Sequence, residues 1–167
     1  MTAITPIDLL ADRGARELAQ LATPEGWPTL DPDLLAAVIR GEDISGEWDA
    51  DDHAPAYLAL ATLQQACDAA NARVDRLAAG RALSTEETSL LRAYRLDLAR
   101  YRLYDDTALA DEHPVIRRYR EADAFLARVA AGRETLGQSP SGTAGAPATS
   151  VDAPARLFTR DTLADYR

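Results

Sequence analysis

The chain has 167 residues, 47% of them hydrophobic and 27% charged, a composition that suits one modest folded domain around a single core. Its net charge of -9 works against nonspecific attraction to DNA, RNA or an anionic membrane, because neutralising phosphate takes a basic surface. With no signal-peptide pattern after Met1 and no uncharged apolar run of spanning length, a soluble cytoplasmic protein is expected, with no membrane partner.

Thr5-Pro6 opens the first helix: threonine can cap it, and proline in the first turn loses nothing by lacking an N–H. Ile7, Leu9 and Leu10 follow, then Gly14 breaks or bends the helix before a short amphipathic turn with Leu18 and Leu21. Pro24, Gly26 and Pro28 make a loop. Asp31-Pro32 repeats the cap-and-proline signal ahead of Leu34, Leu35, Val38 and Ile39, which share a helical face up to Gly41. Between Gly41 and Asp52 stand Glu42, Asp43, Glu47, Asp49, Asp51 and Asp52 with no basic residue. Self-repulsion predicts an exposed, mobile loop there, pinned locally by Ile44 and Trp48.

Pro55 is expected to start a long helix whose stripe is Leu60, Leu63, Cys67, Ala70, Val74 and Leu77, ended by Gly80. Ser84 and Glu87 have the spacing of a capping box and open a helix over 84–106 with Leu91, Tyr94, Leu98 and Tyr101 on one face. A last long helix begins at Asp111, with Pro114 in its first turns, carries Val115, Tyr119, Ala122, Leu126 and Val129, and stops at Gly132. Three long helices with matched stripes predict an all-α fold. They form a compact antiparallel helical bundle with its core in residues 57–132, the short N-terminal helices covering an end or a side. The helical domain is expected over 1–136, a small-residue flexible linker over 137–155, and an extended C-terminal tail whose docking segment, 156–167, presents Leu157, Phe158, Arg160 and Leu163.

Nothing in the pattern calls for an enzyme, a metal or a cofactor. His53 and His113 stand too far apart in sequence for a metal triad and read as surface or capping residues. The Asp43–Asp52 run lacks the central glycine and closing glutamate of a calcium loop. Cys67, the single cysteine, excludes an intrachain disulfide or cysteine zinc cage and fits a reducing compartment. It lies on an apolar stripe, where a thiol packs as a small hydrophobe. All 18 basic residues are arginine, a bias that a GC-rich genome explains. Arg92, Arg95, Arg100 and Arg102 on one helix, and Arg117, Arg118 and Arg120 on the next, allow two readings. They pair with Asp97, Asp105, Glu121 and Asp123 at helical spacings, or they form a basic strip that meets an acidic surface such as the Glu42–Asp52 segment of a neighbouring copy.

Four segments occur in a telling order. Ile7-Asp8-Leu9-Leu10 is followed by Arg13-Gly14-Ala15-Arg16-Glu17-Leu18; Leu96-Asp97-Leu98-Ala99-Arg100-Tyr101-Arg102-Leu103-Tyr104 comes later, then Arg118-Tyr119-Arg120-Glu121-Ala122 with Leu126 and Gly132, and last Arg156-Leu157-Phe158-Thr159-Arg160-Asp161-Thr162-Leu163. This series resembles the phage Mu-like neck or head-completion proteins, with their D-I-A-R-Y-R-L-Y, R-Y-x-x-A and R-x-F-S-R-D-x-L patterns. The middle departs: Ala69–Leu77 matches loosely, the acidic Gly41–Asp52 stretch stands as an insertion, and Ala82-Leu83-Ser84 replaces a proline loop. The resemblance implies a head–tail connector adaptor, present in host cytoplasm during assembly and at the virion neck afterwards. Its implied partners are the portal protein, neighbouring copies in a dodecameric ring, and a tail-side stopper or terminator protein, with DNA contact only incidental in the channel. The rival reading is a helical DNA-contacting or regulatory module, or another phage neck or tail-terminator component.

Overall fold

Capping chemistry sets the helix starts. In this computed structural model, which describes residues 3–104 and 112–136, six helices form: α1 Pro6–Arg13, α2 Ala15–Ala22, α3 Pro32–Arg40, α4 Ala50–Ala78, α5 Thr85–Leu103 and α6 Pro114–Ala130. The Asp8 carboxylate accepts from the Thr5 N–H at 2.7 Å and from its hydroxyl at 2.8 Å at the head of α1. Asp31 Oδ1 accepts from the Asp33 N–H at 2.7 Å at the head of α3. The expected capping box is present on α5, with Glu87 N–H to Ser84 Oγ at 3.2 Å and Ser84 N–H to Glu87 Oε2 at 2.8 Å. His113, one of the two histidines expected to cap or lie at the surface, caps α6 by accepting the Val115 N–H at its Nδ1. Asp111 lies outside the described residues.

Helix stops are equally local. Gly41 adopts a left-handed backbone at φ 71°, which lets the Glu42 N–H reach back to the Ala37 carbonyl at 2.9 Å and close α3. Gly14, at φ 82°, separates α1 from α2 as its position suggested.

The fold is all-α among the described residues. Contacts between α5 and α6 run in opposite chain directions: Tyr94 meets Phe125 at 5.0 Å between ring centroids, and Tyr101 stacks on Tyr119 at 3.8 Å. Arg95 of α5 pairs with Asp75 of α4, while Arg73 of α4 pairs with Asp123 of α6. The three long helices therefore form the expected antiparallel bundle. Its stripes are as anticipated at Leu63, Cys67, Ala70 and Val74, at Leu91 and Leu98, and at Val115, Ala122, Leu126 and Val129, all buried.

Two expectations need correction. The core does not start at residue 57: Ile4, Leu9, Leu18, Leu30 and Ile44 belong to the same buried cluster as Leu63 and Leu126. Every residue from Leu34 to Ile39 is buried, so α3 lies inside the fold and is not a cover on one end. Second, α4 begins at Ala50, not Pro55, because Asp51 and Asp52 sit in its first turn, where the positive pole of the helix favours carboxylates. Pro55 lies inside α4, at its sixth residue, where it removes one hydrogen bond to the preceding turn. The acidic residues of the Gly41–Asp52 stretch are exposed, and Ile44 and Trp48 pin it, as expected. Ile44 is 4% exposed, Trp48 packs against the core, and the Asp43 side chain accepts from the Ser45 N–H at 3.0 Å.

One buried polar residue interrupts the α4 stripe. Asn71 accepts the Ile4 N–H at 3.0 Å and donates to the Ile4 carbonyl at 2.9 Å, satisfying both backbone groups of a residue that is itself buried. The N-terminal segment is thereby fixed against the centre of α4, 67 residues away in sequence. Asn71→Leu leaves that donor and acceptor without their partner, so a loss of about 1–3 kcal/mol is expected. Urea denaturation measures it, together with faster amide exchange at Ile4.

Candidate interaction surfaces

The arginines resolve into two groups. On α5, Arg92 donates to Asp8 of α1 at 2.6 Å, Arg100 places both Nε and Nη2 at 2.6 Å from Glu17 of α2, and Tyr104 adds its hydroxyl to the same carboxylate at 3.4 Å. Arg13 of α1 donates to Asp97 of α5 at 2.9 Å, and Arg118 of α6 approaches the same oxygen at 3.9 Å. Arg92, Arg95, Arg100 and Arg118 are paired, but with acids of other helices: of the acids expected at helical spacings Asp97 meets Arg118, while Asp123 pairs with Arg73 of α4. Asp105 lies outside the described residues.

Arg95 does not belong to an exposed basic strip: its side chain is 1% exposed and reaches Asp75, which is 55% exposed, at the edge of the core. The position is four after Leu91 and four before Ala99, both buried, so it falls on the inward face. Sequence reading assigned it by residue type when its register pointed inward. Arg117, Arg118 and Arg120 are exposed on the first turns of α6, with Ile116 half-buried beside them.

Electrostatics follow the burial. Desolvation raises the Asp97 carboxyl above its ordinary value, and the charges of Arg13, Arg118 and Arg100 pull against that rise. For Asp8, burial also opposes ionisation, but the two Thr5 hydrogen bonds and the Arg92 guanidinium outweigh it and lower the pKa. Asp43 is held low by the Ser45 N–H and then by the Ser45 hydroxyl. Burial pushes the Cys67 thiol up to about 12, with Asp68 and Asp8 adding to the rise, so the thiolate needed for nucleophilic chemistry is suppressed. Among the described residues, no group of three His, Cys, Asp or Glu side chains is placed to hold a metal ion, and no helix is long and apolar enough to cross a membrane.

The acidic residues border a groove of about 630 Å³ between α1, α2, α3 and Trp48. Ile7, Leu10 and Trp48 line its apolar part, Asp33, Glu42 and Glu47 its rim, and Glu42 is 3.6 Å from Arg40. Asp49, Asp51 and Asp52 are exposed beyond it on the way into α4. Leu157, Phe158, Arg160 and Leu163 lie outside the described residues.

A family model described as "Bacteriophage Mu, Gp36" matches residues 4–153. The chain belongs to this family, and so to a phage protein family. No curated protein and no solved structure matches it. Within this Gp36 family member, the three described segments that carried the resemblance meet at one place. Arg13 and Glu17 from the first, Asp97, Arg100 and Tyr101 from the second, and Arg118 and Tyr119 from the third form the ion pairs and ring stack just described. Those residues join helices.

Two expected outcomes follow from the arginine placement. Arg95→Ala removes a large side chain from a buried site, at a cost of about 2–4 kcal/mol, whereas Arg92→Ala, at an exposed pair, costs under about 1 kcal/mol. Equal shifts in the two denaturation midpoints would contradict the placement. Asp8 has a lowered pKa in the fold, so its contribution is present above its ordinary value of 3.8 and is lost as pH falls through the folded value. The melting temperature of Asp8→Asn should lie below that of the parent at neutral pH and converge with it in acid, read by circular dichroism across a pH series.

Proposed function

We propose that this Gp36 family member is a structural head–tail connector: an adaptor that forms a ring under the portal, completes the head and joins it to the tail. Family membership over residues 4–153 is the observation that supports this reading most directly. The side chains support it too, since the residues shared with the family hold helices together, and the thiol at Cys67 is buried and protonated. A rigid bundle with charged, segregated outer surfaces is suited to docking between unlike partners. Portal on one side, a stopper or terminator on the other and copies of itself around the ring are the partners proposed, at the virion neck.

The test is the particle. Cryo-electron microscopy of the virion is expected to show this chain at the neck, and its absence from that position overturns the proposal. A chain ending at Leu136 retains all six helices, and Leu136 itself is 5% exposed in the core. That truncation should keep its helical circular dichroism while the yield of infectious particles collapses if residues 156–167 dock on a neighbour or the portal. Normal yields would remove the docking role from the tail.

A further inference from the structure

The first half of α4 carries an outward face that the described residues leave uncovered. From Ala54 to Cys67 there is no charged residue, in a chain that is 27% charged. One side of this stretch, with Ala59, Leu63 and Cys67, goes into the core. The opposite side is built from Tyr57, Leu58, Ala61 and Gln65, all exposed, with Tyr57 at 56% and Leu58 at 53%. A helix that is apolar beyond its core side is one that something else covers.

At its start the face runs into Trp27, 46% exposed, which lines a recess of about 210 Å³ with Pro28, Asp31, Asp52 and Pro55. Leu58 stands three residues after Pro55, on the same side of the helix. The charges that border the face on α4 are acidic, Asp51 and Asp52 before it and Asp68 after it. His53 is half-buried, and the first arginine of the helix is Arg73.

One segment of the chain fits this surface by chemistry and by reach. Between Gly137 and Arg156 the single large apolar side chain is Val151, and then come Leu157-Phe158 and Leu163. Arg156 and Arg160 stand either side of Leu157-Phe158, ahead of Asp161. Leu136 shares a cavity with Gly80, Arg81 and Ala82, just past the end of α4. From there the face is most of a helix away, about 30 Å between Ala78 and Leu58. Residues 137–156 separate Leu136 from Leu157, and that length of chain spans up to roughly 65 Å. The segment therefore reaches α4 of its own chain with length to spare.

We propose that in the free chain the Tyr57–Leu58–Ala61 face of α4 is covered by the chain's own Leu157–Leu163 segment, with Arg156 and Arg160 toward Asp51 and Asp52. Tethering makes the contact intramolecular, so it forms at any protein concentration even where the apolar area is small. It needs neither portal nor ring, so it stands or falls separately from the neck assignment.

Cysteine cross-linking tests it in the purified full chain, since Cys67 is buried with its thiol pushed up to about 12 and stays silent. Ala61→Cys combined with Thr159→Cys should give an intrachain disulfide under mild oxidation of dilute protein, identified by mass spectrometry of the linked peptides. Its yield should exceed several-fold that of Ala130→Cys combined with Thr159→Cys. Ala130 is exposed at the end of α6, close before Leu136 in the chain, where an undocked tail meets it at least as often. Leu58→Asp, at an exposed position, should bring the first yield down to that of the control. Equal yields at the two positions, insensitivity to Leu58→Asp, linkage only between two chains, or no linkage at all overturn the proposal. Gln65→Cys replaces Ala61→Cys if that variant melts below the parent.

Discussion

Asp97 is the point on which the arrangement of helices depends. Its carboxylate lies in a place where desolvation disfavours charge, and two arginines from elements far apart in the chain, Arg13 of α1 and Arg118 of α6, converge on one of its oxygens. A half-buried acid is costly without such partners. The result is that α1, α5 and α6 have a mutually consistent placement. Arg100 to Glu17 and Arg92 to Asp8 extend the same logic above and below, so α5 is tied to the N-terminal pair of helices along most of its length.

Apolar packing supplies the bulk of the cohesion, and the polar contacts choose among the ways of arranging it. α3 is buried from Leu34 to Ile39 and carries its exposed charges, Asp33 and Arg40, near its two ends. It is located by its neighbours: by the left-handed turn at Gly41 that redirects the chain, by Ile44 and Trp48 that pull the acidic segment inward, and by Asn71, which fixes Ile4 against α4. With the carboxylates of that segment held on an anchored backbone, their repulsion leads outward. It gives an exposed acidic edge beside the pinned Ile44 and Trp48.

Much of the fold was legible because it is written at short range. Thr5, Asp31 and Ser84 announce helix starts, Gly14, Gly41 and Gly132 announce breaks and stops, and the four-and-three spacing of Val115, Ala122, Leu126 and Val129 identifies a buried face before any partner is known. The misreadings share a cause. Asp51 and Asp52 were assigned by charge to a loop, though the same charges stabilise a helix start. Arg95 was assigned by charge to the surface, though its register is that of Leu91 and Ala99. In each case residue type was weighed above position.

The sequence by itself determined the helices, their approximate limits, the inward stripes and the burial of Cys67 on one of them, since each follows from neighbours within a few positions. Only the tertiary structure decided that Arg13 finds Asp97, that Glu17 finds Arg100 and that Asn71 serves Ile4. Each joins residues more than sixty positions apart. A charged side chain carries no record in its local sequence of which opposite charge it will meet. That is fixed when apolar burial brings the helices together.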